Sequence, residues 1–166
     1  MFGQLALMIF PVAMAFAAAN DLFTMRIPNK ISLVLIGGFV AAAVAARLPI
    51  ETIAIHIGIA AAVLVATFTL FNFNFLGGGD AKLMAAGALW MGADQAAPFL
   101  LFTTLFGGAL SMAILSYRRL VPVVGTLPGW AQRLHVKNSG IPYGIAVAAA
   151  ALKVYPATEI FRALVA

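Results

Sequence analysis

The chain has 166 residues, of which 64% are hydrophobic and 9% charged, and it contains no cysteine. Soluble domains have roughly 45–50% apolar and about 25% charged residues, so a water-soluble globular protein is excluded. The mean hydropathy is +1.06, and the apolar residues come in long runs, which indicates an integral membrane protein. The net charge of +5 is scattered along the chain without interleaved aromatic residues, so we expect no nucleic-acid partner.

Six apolar segments predict a single all-helical domain, residues 1–166, with about six transmembrane helices. They are residues 5–19, 31–46, 52–71, 83–93, 96–117 and 141–152, the last of which can continue to residue 166. The fourth segment is much shorter than the roughly 20 residues of a lone span, so it needs protein neighbours. A five-span arrangement with the last segment on the membrane surface stays open. Between the first two segments, Ile27-Pro28-Asn29 predicts a tight turn with Asn29 capping the second helix.

The basic residues indicate which ends of the helices face the cytoplasm. With the N-terminus outside, the inner loops hold more basic residues than the outer ones, as the positive-inside rule requires. The inner set is Arg26, Lys30, Lys82, Arg118, Arg119, Arg133 and Lys137, and the outer set is Arg47, Lys153 and Arg162.

Two of the five acidic residues lie at predicted membrane edges on the same side. Glu51, Asp94 and Glu159 fall in outer loops or near the C-terminus, whereas Asp21 ends the first span and Asp80 opens the fourth. Two crossings separate Asp21 from Asp80, so both are expected at the cytoplasmic face. Acids at membrane depth cost about 2.5–3.5 kcal/mol each on insertion scales and usually face a bundle interior or a wet cavity. These two acids can therefore meet.

A carboxylate pair suggests hydrolysis by activated water. One acid stays protonated while its partner is ionised. The ionised acid takes a proton from water as it attacks a peptide carbonyl, and the protonated acid polarises that carbonyl and later helps the amine leave. This chemistry needs no metal and no cofactor, and we expect neither. His56 has no companion at metal-ligand spacing, so we expect it to be packed or hydrogen-bonded.

Three glycines, Gly77, Gly78 and Gly79, precede Asp80. Glycines allow a substrate strand to approach closely. Alternatively, they form a plain loop and Asp80 caps the fourth helix. Lys82 either favours the ionised form of Asp80 or serves only to orient the chain.

The order of these motifs resembles the type IV prepilin peptidases, the GxGD membrane aspartic proteases. Asp21 followed by Arg26-Ile27-Pro28-Asn29, and Gly77-Gly78-Gly79-Asp80 followed by Lys82, look like the two signature regions. Ile141-Pro142-Tyr143-Gly144 looks like the start of the family's last span. The resemblance covers nearly the whole chain. It implies that Asp21 and Asp80 are catalytic and that the three glycines and Lys82 form the active-site loop.

The resemblance also implies a substrate and a location. Family members cleave the basic leader of prepilins or pseudopilins at the cytoplasmic side of the bacterial inner membrane, with pilus assembly or secretion machinery as partners. Longer members carry an N-terminal domain with paired Cys-x-x-Cys zinc motifs and methylate the new amino terminus. This chain resembles the short enzymes of Flp or tight-adherence systems, so we expect a peptidase without the zinc or methyltransferase domain.

Two alternatives and one accessory hypothesis stay open. A small transporter or channel subunit would use the two acids to bind a proton or cation. A scaffold would keep the fold without turnover. Residues 118–140, with Trp130, either cover the active site at the lipid–water boundary or form a plain connecting loop.

Overall fold

The computed structural model describes residues 2–121, 128–136 and 140–165, and these residues form a helical bundle. The helices are α1 (Phe2–Thr24), α2 (Asn29–Ala45), α3 (Ile50–Asn72), α4 (Gly78–Leu120), α5 (Gly129–His135), α6 (Gly144–Val154) and α7 (Glu159–Val165). A short 3-10 turn, Tyr155–Ala157, joins α6 to α7. The predicted all-α membrane bundle is confirmed.

Helix α4 is broken at Gly92, where φ is 63° and ψ is −169°. A β-carbon placed on Gly87 would lie 2.9 Å from Phe99 Cζ, so residues before and after the break pack against each other. Along a straight helix, positions 87 and 99 would be about 18 Å apart. The chain therefore reverses at Gly92, and α4 consists of a first arm, residues 78–91, and a second arm, residues 93–120. Only glycine reaches this positive φ without strain.

His56 stabilises the break in α4. Its ring is 3% exposed, and its Nδ1 lies 2.7 Å from the carbonyl oxygen of Leu89. Because a carbonyl can only accept, Nδ1 carries the proton and donates it. Leu89 belongs to the last turn before the break, where carbonyls lack the partners that a continuing helix supplies. The predicted packed, hydrogen-bonded His56 is confirmed.

The first arm of α4 is the centre of the bundle, and residues 83–92 are all buried. Trp90 packs against Phe10 of α1 with ring centroids 5.0 Å apart, and its Nε1 donates to the carbonyl oxygen of Leu35 in α2 at 2.9 Å. Tyr155 completes this layer, with its hydroxyl donating to the carbonyl oxygen of Leu7 at 3.0 Å. The short fourth segment thus has the protein neighbours that its length required.

Within the described residues, three helices are long and apolar enough to cross a bilayer if α4 is counted as one helix across its break at Gly92: Gly3–Thr24, Ile50–Asn72 and Gly78–Leu120. Gly144–Ala157 and Glu159–Val165, bent by 52°, make a fourth span if they are counted together, and Asn29–Ala45 is a shorter apolar helix. The protein is an integral membrane protein, but the number of six crossings is not confirmed by length and hydropathy and stays a prediction.

Candidate active site

Asp21 lies in the last turns of α1 and is 5% exposed. Its Oδ2 accepts a hydrogen bond of 2.8 Å from the backbone amide of Gly144, at the start of α6. The loop after α1 is held back against the helix end, because the Asn20 side-chain amide donates to the Arg26 carbonyl oxygen at 3.1 Å. This anchoring brings Ile27 to the site, where a β-carbon on Gly144 would lie 2.8 Å from Ile27 Cδ1.

Asp80 lies in the first turn of α4, and its carboxylate folds back over Gly77. Gly77 is the residue that caps α4, and the Asp80 carboxylate lies against it, since a β-carbon on Gly77 would lie 2.7 Å from Asp80 Oδ2. The capping residue is Gly77 and the described residues make no side-chain cap hydrogen bond at this end of α4, so the alternative that this helix is capped by Asp80 is wrong. Asp80 Oδ1 is buried and has no hydrogen-bond partner in the described part of the chain.

The structure brings Asp21 and Asp80 together, which their predicted location on one side had made possible. Both line a cavity of about 500 Å³ whose other walls are the α1–α2 loop and the glycines before α4. Both also line a second cavity of about 720 Å³, on the side of the second arm of α4. Asp21, Asp80, Met25 and Gly77 belong to both cavities, so the pair of acids lies between them.

Each of the three glycines before Asp80 is in close contact with a different group. A β-carbon on Gly77 would lie 2.7 Å from Asp80 Oδ2, one on Gly78 would lie 3.2 Å from the Phe71 ring, and one on Gly79 would lie 3.1 Å from Ile27 Cβ. All three glycines line the smaller cavity. Larger side chains would push this loop away from the α1–α2 loop and narrow the space beside the acids.

Lys82 contacts the start of α2 and not an acidic residue. Its Nζ donates to Asn29 Oδ1 at 3.0 Å, on the exposed side of the bundle. Lys82 is not among the described residues that line the two cavities. The expectation that Asn29 caps α2 is wrong, because Pro28 is the capping residue and no described side chain caps this helix. The Asn29 side chain instead accepts a hydrogen bond from Lys82.

Tyr143 also lies at the site, although it was not among the predicted site residues. It lines the larger cavity with both acids, and its hydroxyl donates to the Thr103 carbonyl oxygen at 3.3 Å. Burial raises the pKa of the Tyr143 phenol, and Asp80 raises it further when it is ionised, so Tyr143 is a neutral donor near pH 7. Sequence analysis had marked residues 141–144 only as the start of a span. Ser111, which lines the same cavity, carried no sequence signal at all.

The sequence comparison identifies the family. Residues 8–112, more than half of the chain, match the model of the type IV leader peptidase family. This range includes both Asp21 and Asp80. The chain belongs to the type IV leader peptidase family. No curated protein and no solved structure matches it.

Family membership makes this protein a protease and confirms the resemblance to the prepilin peptidases. Among the described residues, no group of three or more histidine, cysteine or acidic side chains is arranged to hold a metal ion. At the candidate site, Asp21 and Asp80 line the same two cavities, and two neighbouring carboxyl groups can in principle divide the roles of acid and base between them.

The hypothesis of an active-site cover falls partly outside the described residues, since Pro122, Gly125 and Lys137 are not among them. In the described part, α5 packs against the end of α1, with the rings of Trp130 and Phe23 in an edge-on contact at 6.4 Å. No described residue of α5 lines either cavity of this leader peptidase. The cover therefore stays a prediction.

Proposed function

We propose that this leader peptidase removes the basic leader from Flp-type prepilins or pseudopilins at the cytoplasmic side of the bacterial inner membrane, and that Asp21 and Asp80 activate the attacking water. The observation that carries the proposal is that these two acids, far apart in sequence, line the same two cavities. Buried carboxyl groups side by side are costly in a membrane protein, and such groups usually serve a function.

The hydrogen bonds suggest how the two acids share the work. Asp21 Oδ2 accepts a hydrogen bond from the Gly144 amide, a contact suited to a carboxylate, whereas Asp80 Oδ1 is buried and has no partner among the described residues. In our proposal Asp21 is the ionised base and Asp80 holds the shared proton on Oδ1. Asp21 takes a proton as the water oxygen bonds to the scissile carbonyl carbon. The carbon–nitrogen bond then breaks, and the departing amine receives a proton from the pair.

The walls of the cavities support a peptide substrate in an extended form. Gly77, Gly78 and Gly79 give the smaller cavity a wall without side chains, where a substrate backbone can approach Asp80. Arg26 lines the same cavity. In our proposal this arginine keeps the basic leader from binding in the reverse direction, because like charges repel.

The location of the active site, the domain content and the partners in this proposal are inferred from the sequence. The basic residues on the predicted inner loops support a cytoplasmic active site. We propose a single peptidase domain without N-methylation, since these 166 residues contain no cysteine for paired zinc motifs. The working partners would be the lipid bilayer and a pilus assembly or secretion machine that receives the processed pilin.

A cleavage assay tests the proposal. Membranes that contain the protein are mixed with a prepilin that carries its basic leader, and loss of the leader is followed as a gel shift. Asp21→Asn and Asp80→Asn should each lower the rate by about 10²–10⁴-fold, the range of general acid–base catalysis. Asp94→Asn is the matched control, because Asp94 is exposed and lines a different cavity, beside His56.

Each outcome has a distinct meaning. If either variant at Asp21 or Asp80 cleaves at the native rate, the two-aspartate mechanism is wrong. If the native protein cleaves no prepilin, the peptidase proposal fails for these substrates. Flux of protons or cations into vesicles that contain the protein would then favour a transporter, and its absence would favour a scaffold.

A further inference from the structure

The segment before α6 contacts the candidate catalytic pair although the family match ends at residue 112. The Gly144 amide reaches Asp21 Oδ2 at 2.8 Å, in a buried position. A β-carbon on Gly144 would lie 2.9 Å from that same oxygen and 2.8 Å from Ile27 Cδ1. Only a glycine can bring its amide so close to Asp21 without displacing the carboxylate.

Tyr143 fixes the position of this amide. Its ring lies on Gly107 of the second arm of α4, and a β-carbon there would come within 2.2 Å of the Tyr143 hydroxyl oxygen and Cε2. Gly107 is buried, and Thr103, one turn earlier in the helix, accepts the Tyr143 hydroxyl. The second arm of α4 therefore forms a seat that determines where the backbone of the next residue, Gly144, lies.

We propose that Tyr143 and Gly144 are positioning residues for Asp21. Tyr143, seated on Gly107, fixes the backbone amide of Gly144, and this amide orients the Asp21 carboxylate toward Asp80. The inference rests on the proposed two-aspartate function. It adds that the second arm of α4 and the start of α6 determine the geometry of an acid on α1.

The energetic reason is that acid–base catalysis depends steeply on geometry. A misplacement of about 1 Å can cost about 10²-fold in rate even when its origin is distant from the reacting atoms. An amide donor also favours the ionised form of a carboxylate. A displaced Gly144 amide should therefore change both the rate and its pH dependence, whereas general loosening of the fold would lower only the amount of active protein.

Two adjacent glycines provide the test. Gly107→Ala places a methyl group against the Tyr143 ring, whereas the methyl group of Gly108→Ala has no atom of the described residues within 4 Å. Both changes have the same small effect on helix propensity. Both variants are assayed for leader cleavage across a pH series, next to the native protein, and are matched by membrane abundance and thermal unfolding in detergent.

We expect Gly107→Ala to lower kcat by about 10²-fold, with a much smaller change in KM. The acidic limb of its kcat–pH profile should move to higher pH. Gly108→Ala should match the native protein in both respects. If Gly107→Ala has the same kcat and pH profile as Gly108→Ala, the positioning role is overturned, while the two-aspartate function, tested by Asp21→Asn, is unaffected.

Two further variants decide the question if Gly107→Ala fails to fold. Tyr143→Phe keeps the ring in its seat, and Tyr143→Ala removes it. If the inference is correct, Tyr143→Ala has a lower kcat and a shifted kcat–pH profile. Tyr143→Phe should then keep a higher kcat than Tyr143→Ala. A Tyr143→Ala variant with the native pH profile overturns it. If Asp21→Asn cleaves at the native rate, the proposed function fails, and the positioning role fails with it.

Discussion

The backbone amide of Gly144 donates a hydrogen bond to Asp21 Oδ2 over 2.8 Å, although 123 positions separate the two residues. The bond joins the end of α1 to the start of α6. Met25, which follows α1, has a φ of 55°, and its amide bonds back to the Asp21 carbonyl oxygen at 2.8 Å. Asp21 is thus held through both its side chain and its backbone, so its carboxylate has a defined direction when substrate arrives.

Gly144→Ala should lower the cleavage rate by about 10²-fold, because the methyl group meets Asp21 and Ile27 at contact distances that no real side chain shows. The measurement is kcat for leader removal at equal membrane abundance. Gly58→Ala, on α3 with no atom near the added methyl group, should keep the native rate. Native turnover by Gly144→Ala would show that the close approach to Asp21 is not needed.

The cleavage rate should fall at both low and high pH. At low pH the general base of the pair is protonated and cannot accept a proton. At high pH the general acid is ionised and cannot donate one, so the rate falls on both sides of the profile. The two apparent pKa values belong to the pair of Asp21 and Asp80 and to neither residue alone. A rate series from acid to neutral and alkaline pH measures them. A flat profile would contradict a pair that shares one proton.

His56→Leu should lower the free energy of unfolding by about 1–3 kcal/mol, because the Leu89 carbonyl loses its buried donor. His56→Asn should lose less, since its amide can still donate to Leu89. The readout is thermal unfolding in detergent. Along the first arm of α4, Gly92 is about 18 Å from Asp80, so the folded fraction of either variant should cleave at the native rate. A lower rate per folded molecule would mean that His56 acts on catalysis as well.

Lys82→Ala and Asn29→Ala should have similar, small effects on cleavage and stability, and the double variant should add little to either. The two side chains share one exposed hydrogen bond of 3.0 Å between the starts of α4 and α2. A contact of this kind contributes about 1 kcal/mol or less. A double-mutant cycle in unfolding and kcat measures the coupling. Strong loss of activity from Lys82→Ala alone would instead favour a direct action of Lys82 on Asp80.

The amino-acid sequence by itself determined the class of the protein and predicted that its two acids could meet. Long apolar runs and few charges leave only a membrane-embedded helical bundle. Asp21 and Asp80 were predicted to lie on the same side because two predicted crossings separate them, a prediction that needs no side-chain detail. His56 could be interpreted correctly because a lone histidine in an apolar span must be packed or hydrogen-bonded.

Only the tertiary structure decided which groups touch the two acids. Asn29 was expected to cap its own helix, yet its side chain accepts from Lys82 of α4. Tyr143 and Gly144 showed no sign of a role at Asp21, because a hydrogen bond across 123 positions leaves no local periodicity or spacing. Local sequence determines where a helix begins and which face is apolar. The contacts of a glycine amide or a tyrosine ring depend on which helices pack together, and that is settled by the whole bundle.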